Sequence, residues 1–107
     1  MLNLNNVLLS GILDKEPERI RHHSGKLVRL SLLTEESHLN DKGRLIRISH
    51  IHPLTAWGNN AELAERFLKK GSRVYVEGKL IHNYYYDRMG VRRKVSEVKI
   101  SGLKILD

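Results

Sequence analysis

A chain of 107 residues, 40% of them apolar, has room for one modest core, so residues 1–107 are expected to form a single domain. Nineteen Lys and Arg face twelve Asp and Glu, a net charge of +7 that draws polyanions to the surface. The lack of cysteine excludes disulfides, thiolate metal sites and a cysteine nucleophile, and no apolar run approaches the roughly 18 residues of a membrane helix.

The N-terminal stretch Met1–Leu13 is apolar but alternates with Asn and has no basic start, so it reads as a strand and not as a signal peptide. Breaks follow at Glu16–Pro17 and Ser24–Gly25. Val28, Leu30 and Leu32 alternate with Arg29 and Ser31, the pattern of a strand with one buried and one wet face. A turn is expected over Glu35–Gly43. In the third strand Ile46 and Ile48 alternate with Arg47 and Ser49. Pro53 cannot donate to a ladder and calls for a bulge or an unpaired edge. If His52, Leu54 and Ala56 face in, then Ile51, Pro53, Thr55 and Trp57 face out.

The rhythm changes once. In Asn59–Lys70 the apolar residues Leu63, Ala64, Phe67 and Leu68 fall at helical spacing. Asn59 is the expected cap, with Glu62 completing a capping box. Lys69 and Lys70 suit the negative end of the helix dipole, and Gly71 the exit. Two more alternating strands follow, around Val74, Val76 and Leu80 and around Val98 and Ile100. Three strands, a helix and two strands form the order of the OB fold. It is an all-β, five-stranded Greek-key barrel with one short helix between strands 3 and 4.

The chemistry concentrates near the second hairpin. Tyr84, Tyr85 and Tyr86 stand together, followed by Arg88, Arg92, Arg93 and Lys94. Three consecutive strand residues cannot all point inward, so at least one ring is exposed. Flat rings beside cations suit single-stranded nucleic acid, since bases stack on rings and cations follow phosphates. A phosphate path is expected along Arg29, Lys42, Arg44, Arg47, Lys79, Arg88, Arg92, Arg93 and Lys94. His50 and His52 share a face and His22 and His23 adjoin, but neither pair has a carboxylate at metal-ligand spacing. No metal or other cofactor is expected. No phosphate-cradling glycine loop or nucleophile elbow occurs, so the expectation is a binding protein and not an enzyme.

Three segments together resemble the bacterial single-stranded DNA-binding protein family. These are NNVLLSGILDKEPERIR (Asn5–Arg21), VRLSLLTEES (Val28–Ser37) and WGNNAELAERFLKKGSRVYVEGKL (Trp57–Leu80). The third is the most specific, with its aromatic-Gly, helix, Lys-Gly-Ser and Val-Tyr-Val-Glu-Gly run. The resemblance implies sequence-independent binding and protection of single-stranded DNA in replication, recombination and repair, in the bacterial cytoplasm at the nucleoid. It also implies a homo-oligomer, usually a tetramer, with a dimer open. Base stacking carries over to His38, Ile51, Trp57 and Tyr85; Ile51 has no ring, and Tyr84 and Tyr86 are further candidates. Asn5, Val7, Leu9, His52 and Tyr75 fall at the implied subunit interface. The sequence stops at Leu106–Asp107 without the family's acidic tip, so tail-mediated protein recruitment is not expected. The short form also resembles primosomal replication protein N, a dimeric adaptor in replication restart. The helix and Lys-Gly-Ser run favour the first family, the missing rings and tail the second.

Overall fold

The computed structural model describes residues 2–106. Its strands are β1 (Val7–Leu13), β2 (Glu18–His22), β3 (Gly25–Leu39), β4 (Leu45–Trp57), β5 (Arg73–Tyr86) and β6 (Arg92–Leu106), with helix α1 (Gly58–Phe67) between β4 and β5. The sheet runs β1-β5-β6-β4-β3, and β3 returns to β1 through Ile12↔Leu33 and Leu13↔Leu32. Five strands therefore close a barrel. The sixth, β2, lies outside the ring and pairs only with β3. All pairings are antiparallel except β4 with β6, which meet at Leu54↔Val98 and Thr55↔Lys99.

The alternation read from the sequence selects the barrel interior. Val28, Leu30, Leu32, Leu54, Val74, Val76, Val98 and Ile100 are all buried in one core. The helix closes it with Ala61, Ala64 and Leu68. Each fully buried Leu or Val contributes about 1.5–3 kcal/mol. On β6 the period breaks once: Glu77 faces Gly102 but Gly78 faces Ile100, leaving Ser101 unpaired in a bulge. That extra residue lets Val98 and Ile100 on one side of it and Leu103 on the other all reach the core.

The helix departs from expectation at both ends. It starts at Gly58, whose φ of +57° turns the strand sharply, so Trp57 takes the cap position with no side-chain cap bond. The expected cap and capping box of Asn59 and Glu62 do not form; Glu62 instead accepts from Lys26 Nζ at 2.8 Å. The helix stops at Phe67, so Lys69 and Lys70 lie beyond it and Arg66 is the cation of its last turn. Phe67 is exposed, contrary to its place in the expected apolar stripe. The link onward is tied to β1 by Gly71 N–H donating to Leu13 O and Leu13 N–H to Ser72 O. Lys26 also reaches Glu65, and Arg19 joins the same carboxylate, fastening the helix to β2 and β3.

Strand β3 runs on to Leu39, past the turn expected from Glu35. Pro53 causes no bulge; it pairs regularly with Ser31 and sits just outside the short β4–β6 contact, at an unpaired edge.

Two hairpins extend beyond the barrel with tips built alike. Asn40 Oδ1 accepts from the N–H of Lys42 and Arg44, and Asp87 Oδ1 from the N–H of Met89 and Val91. Each tip ends on a left-handed glycine, Gly43 at φ +74° and Gly90 at φ +76°. Gly43→Ala and Gly90→Ala should therefore each cost about 1–2 kcal/mol in a urea melt. Unchanged midpoints for both would contradict this backbone assignment. Among the described residues no helix is long and apolar enough to cross a membrane.

Candidate nucleic-acid interface

Strand register sorts the side chains of β3 to β6 into two faces. Leu54 and Ala56 point into the core, so Ile51, Pro53, Thr55 and Trp57 stand on the outer face, as alternation predicts. Ile51 and Pro53 are exposed and Trp57 is half-buried, but Thr55 is covered, only 3% exposed. On β3, Arg29 pairs Thr55 and Ser37 pairs Arg47, so both arginines share this face. On β5, buried Val76 and Gly78 fix the parity: Lys79, Ile81, Asn83 and Tyr85 look outward with their β6 partners Lys99, Glu97, Val95 and Arg93.

The outer residues form one trough. Tyr85, half-exposed, lines a cleft with Asn83, Tyr84, Val95, Arg29, Pro53 and Glu97. The last three also line a second cleft that reaches Ile51, so the two are continuous. Glu97 accepts from Asn83 Nδ2 at 2.9 Å and lines both clefts, and Glu16 and Glu18 add two further carboxylates to the second. Arg29 lines both clefts; Lys79 and Lys99, on the same outer face, line a neighbouring cleft with Asn5 and Asn6, and Arg93 lies toward the hairpin tip.

The remaining predicted rings lie elsewhere. Tyr84 and Tyr86 pair Lys94 and Arg92 on the opposite face of the β5–β6 hairpin, and His38 pairs Ile46 on the opposite face of the β3–β4 hairpin. Arg92 also covers Tyr84, its guanidinium 4.0 Å from the ring centre, so that ring already has a cationic partner. Strand register thus splits the five rings proposed from the sequence, with Trp57 and Tyr85 on the trough face and Tyr84 at the edge of its cleft. Lys42, Arg44 and Arg88 occupy the hairpin tips.

Asp87 holds one tip. Its carboxyl is kept below the ordinary carboxylate value chiefly by the Val91 N–H and then by Arg93, against an opposing burial penalty, with the Met89 N–H contributing least. Arg93 Nε donates to Asp87 Oδ2 at 2.9 Å. A depressed carboxyl stabilises above its ordinary pKa, and the contribution is lost as pH falls through the folded value. Acidification should therefore free Arg93 and loosen the tip. The Met89 and Val91 amide protons should then lose protection, measured against their intrinsic exchange rates, at low pH, and Asp87→Ala should show the same low protection already at neutral pH. Equal protection in variant and parent would contradict this role.

The implied interface residues are placed unevenly. Asn5 bonds both backbone groups of Leu80 within its own chain. Val7 and Leu9 are partly buried against the core, while Leu8 and Ile12 on the same strand turn outward. His52 is half-buried and shares a 2.8 Å bond with Thr34 Oγ1. Tyr75 donates to Glu77 at 3.0 Å, and that carboxylate raises its pKa above the ordinary phenol value. Sequence reasoning passed over Lys99, although its place between buried Val98 and Ile100 marks it as outward. It also missed His22, whose ring meets the Trp57 ring edge-on at 4.9 Å and stacks on His23 at 4.4 Å; no local pattern signals that contact.

A five-stranded barrel with its helix before the fourth barrel strand, carrying an outer trough of rings and cations, is an OB-fold ligand-binding module. Matched over residues 4–106, the chain belongs to the Single-strand binding protein family. It is 33% identical over 105 residues to a single-stranded DNA-binding protein 1 of Chlorobaculum tepidum, covering 96% of this chain and 65% of that protein. It is 30% identical to the single-stranded DNA-binding protein of Neisseria meningitidis, covering 98% of this chain and 61% of that one. The chain thus spans less than two thirds of these relatives. A structure of a Plasmodium falciparum SSB complex with ssDNA superposes with a TM-score of 0.90 at 26% identity, covering 100% of this chain and 98% of that one. The single-stranded DNA-binding protein from Thermus aquaticus shares the fold, with a TM-score of 0.84 at 24% identity, over 97% of this chain and 51% of that one.

Proposed function

We propose that the chain binds single-stranded DNA without reading its sequence, protects it during replication, recombination and repair, and catalyses nothing. The observation that carries this reading is the continuous outer trough in which Tyr85, Arg29 and Pro53 lie together on the face that also bears Trp57. Trp57 and Tyr85 stack bases. Arg29, Arg47, Lys79 and Arg93 take phosphates along the trough, while Lys42, Arg44 and Arg88 at the tips close over the strand. Tyr84, Tyr86, His38, Arg92 and Lys94 serve a strand that wraps round the hairpins to their other face. Family membership and the superposition on a structure named as an ssDNA complex support the ligand class.

The protein acts as a homo-oligomer in the bacterial cytoplasm. Strand β1 supports this: it meets β3 only at Ile12 and Leu13, so Val7–Ser10 keep a free edge beside exposed Leu8. His52 and Tyr75 are the remaining interface candidates. Mass measurement of the free protein separates a tetramer, expected of strand coating, from a dimer, expected of the replication-restart adaptor.

Competition between a melted oligonucleotide and its duplex tests the binding itself. The unpaired strand should win, and affinity should fall steeply with salt as phosphate contacts release counterions. Duplex preference, or a flat salt series, would sink the assignment.

A further inference from the structure

The barrel carries a row of side chains whose chemistry is incomplete. Arg29 on β3, Thr55 on β4, Lys99 on β6 and Lys79 on β5 are successive partners in register, all on the outer face. At the centre of the row, Thr55 is 3% exposed and its Oγ1 is buried without a hydrogen-bond partner. It is the one buried polar side chain among the described residues, and buried hydroxyls are ordinarily satisfied. The cations beside it are also unspent. Arg19, Lys26 and Arg93 are in ion pairs, whereas Arg29, Lys79 and Lys99 are in none among the described residues. Lys79 and Lys99 stand directly opposite each other, an arrangement of like charges that weakens a sheet. The acidic groups on this part of the face are Glu18, in register with Arg29, Glu16, which lines the Arg29 cleft with it, and Glu97, two residues before Lys99.

An unsatisfied donor flanked by free cations is a site awaiting an anion. We propose that Thr55 Oγ1, Arg29 and Lys99 form a subsite for one backbone phosphate of the bound strand, with Lys79 adding charge from the next strand. The proposal rests on single-strand binding and names one contact within it. Neighbouring strands are about 4.8 Å apart, so Arg29 and Lys99 root roughly 10 Å from each other across Thr55. Long side chains rooted at that separation can converge on one tetrahedral oxyanion over the hydroxyl. The orphan hydroxyl, covered and unpaired in the free protein, then donates in the complex once the side chains over it part to admit the phosphate.

The consequence is a pair of effects of opposite sign. Thr55→Val keeps the shape and removes the hydroxyl. It should raise the melting temperature of the free protein, because an unsatisfied buried donor disappears. It should lower affinity for single-stranded DNA about tenfold, the worth of one hydrogen bond to a charged group. The loss should be equal on oligo-dT and oligo-dA, since a phosphate is common to both. The salt dependence should not change, because no cation is removed. Lys99→Met, at an exposed position, should instead reduce the slope of log affinity against log salt by about one.

Wild-type protein is titrated first with each oligonucleotide. Its failure to bind defeats the function proposed above and not this subsite in particular. Given wild-type binding, unchanged affinity in Thr55→Val overturns the subsite. A loss confined to one base composition overturns the phosphate assignment, because the hydroxyl then contacts a base. Should Thr55→Val not fold, the Lys99→Met slope decides, and an unchanged slope rejects the proposal.

Discussion

Replacing Trp57 and Tyr85 together by alanine is expected to weaken single-strand binding by about 2–6 kcal/mol, from about 1–3 kcal/mol for each stacked base. They are the two predicted rings that the strand register places on the trough face. Their neighbours are poorer platforms. Tyr84 borders the Tyr85 cleft, but its register turns it to the other side of the hairpin and Arg92 already covers its ring, and Ile51 offers exposed apolar surface but no π-face. Trp57→Phe and Tyr85→Phe keep a ring and should retain most of the affinity. Anisotropy of a labelled oligonucleotide reads all three proteins on one scale. A double alanine variant within threefold of the parent would show that bases do not stack here.

Gly11→Val is expected to cost about 3–5 kcal/mol of folding stability, a large share of the roughly 5–15 kcal/mol of a typical domain. The reason is the seam of the barrel. Gly11 pairs Val74 on β5 and directly precedes Ile12, which is held between Arg73 on β5 and Leu33 on β3. A Cβ built there would lie 2.2 Å from Leu33 O and 3.1 Å from Leu33 C. Both are backbone atoms, so relief requires moving β3 itself and opening the only join that closes the ring. Gly78, where a Cβ would meet Lys99 O at 2.3 Å, should behave in the same way. Urea melts measure the loss, with exposed Ser10→Ala as a neutral control. A loss under about 1 kcal/mol would mean the seam is looser than described.

Period-two runs in the sequence were enough to find the barrel, because its strands bury one face and wet the other. The same alternation placed Trp57 outward, since Leu54 and Ala56 are buried. It failed where both faces are wet. Glu35, Glu36, Ser37 and His38 are all exposed, so nothing local says that β3 continues to Leu39. Nor could it say which of the three tyrosines shares a face with Trp57. That answer needs the register of β5 against β6 and the path of both strands past β4. Helix ends were legible by residue type and wrong in detail. Asn59 is a fitting cap, but the chain turns at the positive φ of Gly58 and the helix starts two residues earlier, with Trp57 at the cap position. The orphan hydroxyl of Thr55 could not be seen at all, because its isolation depends on two neighbouring strands that are distant in sequence.

Trp57 is the sole tryptophan, so its emission reports on one point of the trough. Titration with an unpaired oligonucleotide at low salt should quench it to saturation, and added salt should reverse the quenching as phosphate contacts are lost. Emission that ignores the unpaired strand while a duplex quenches it would show that the trough is not where single-stranded DNA lies.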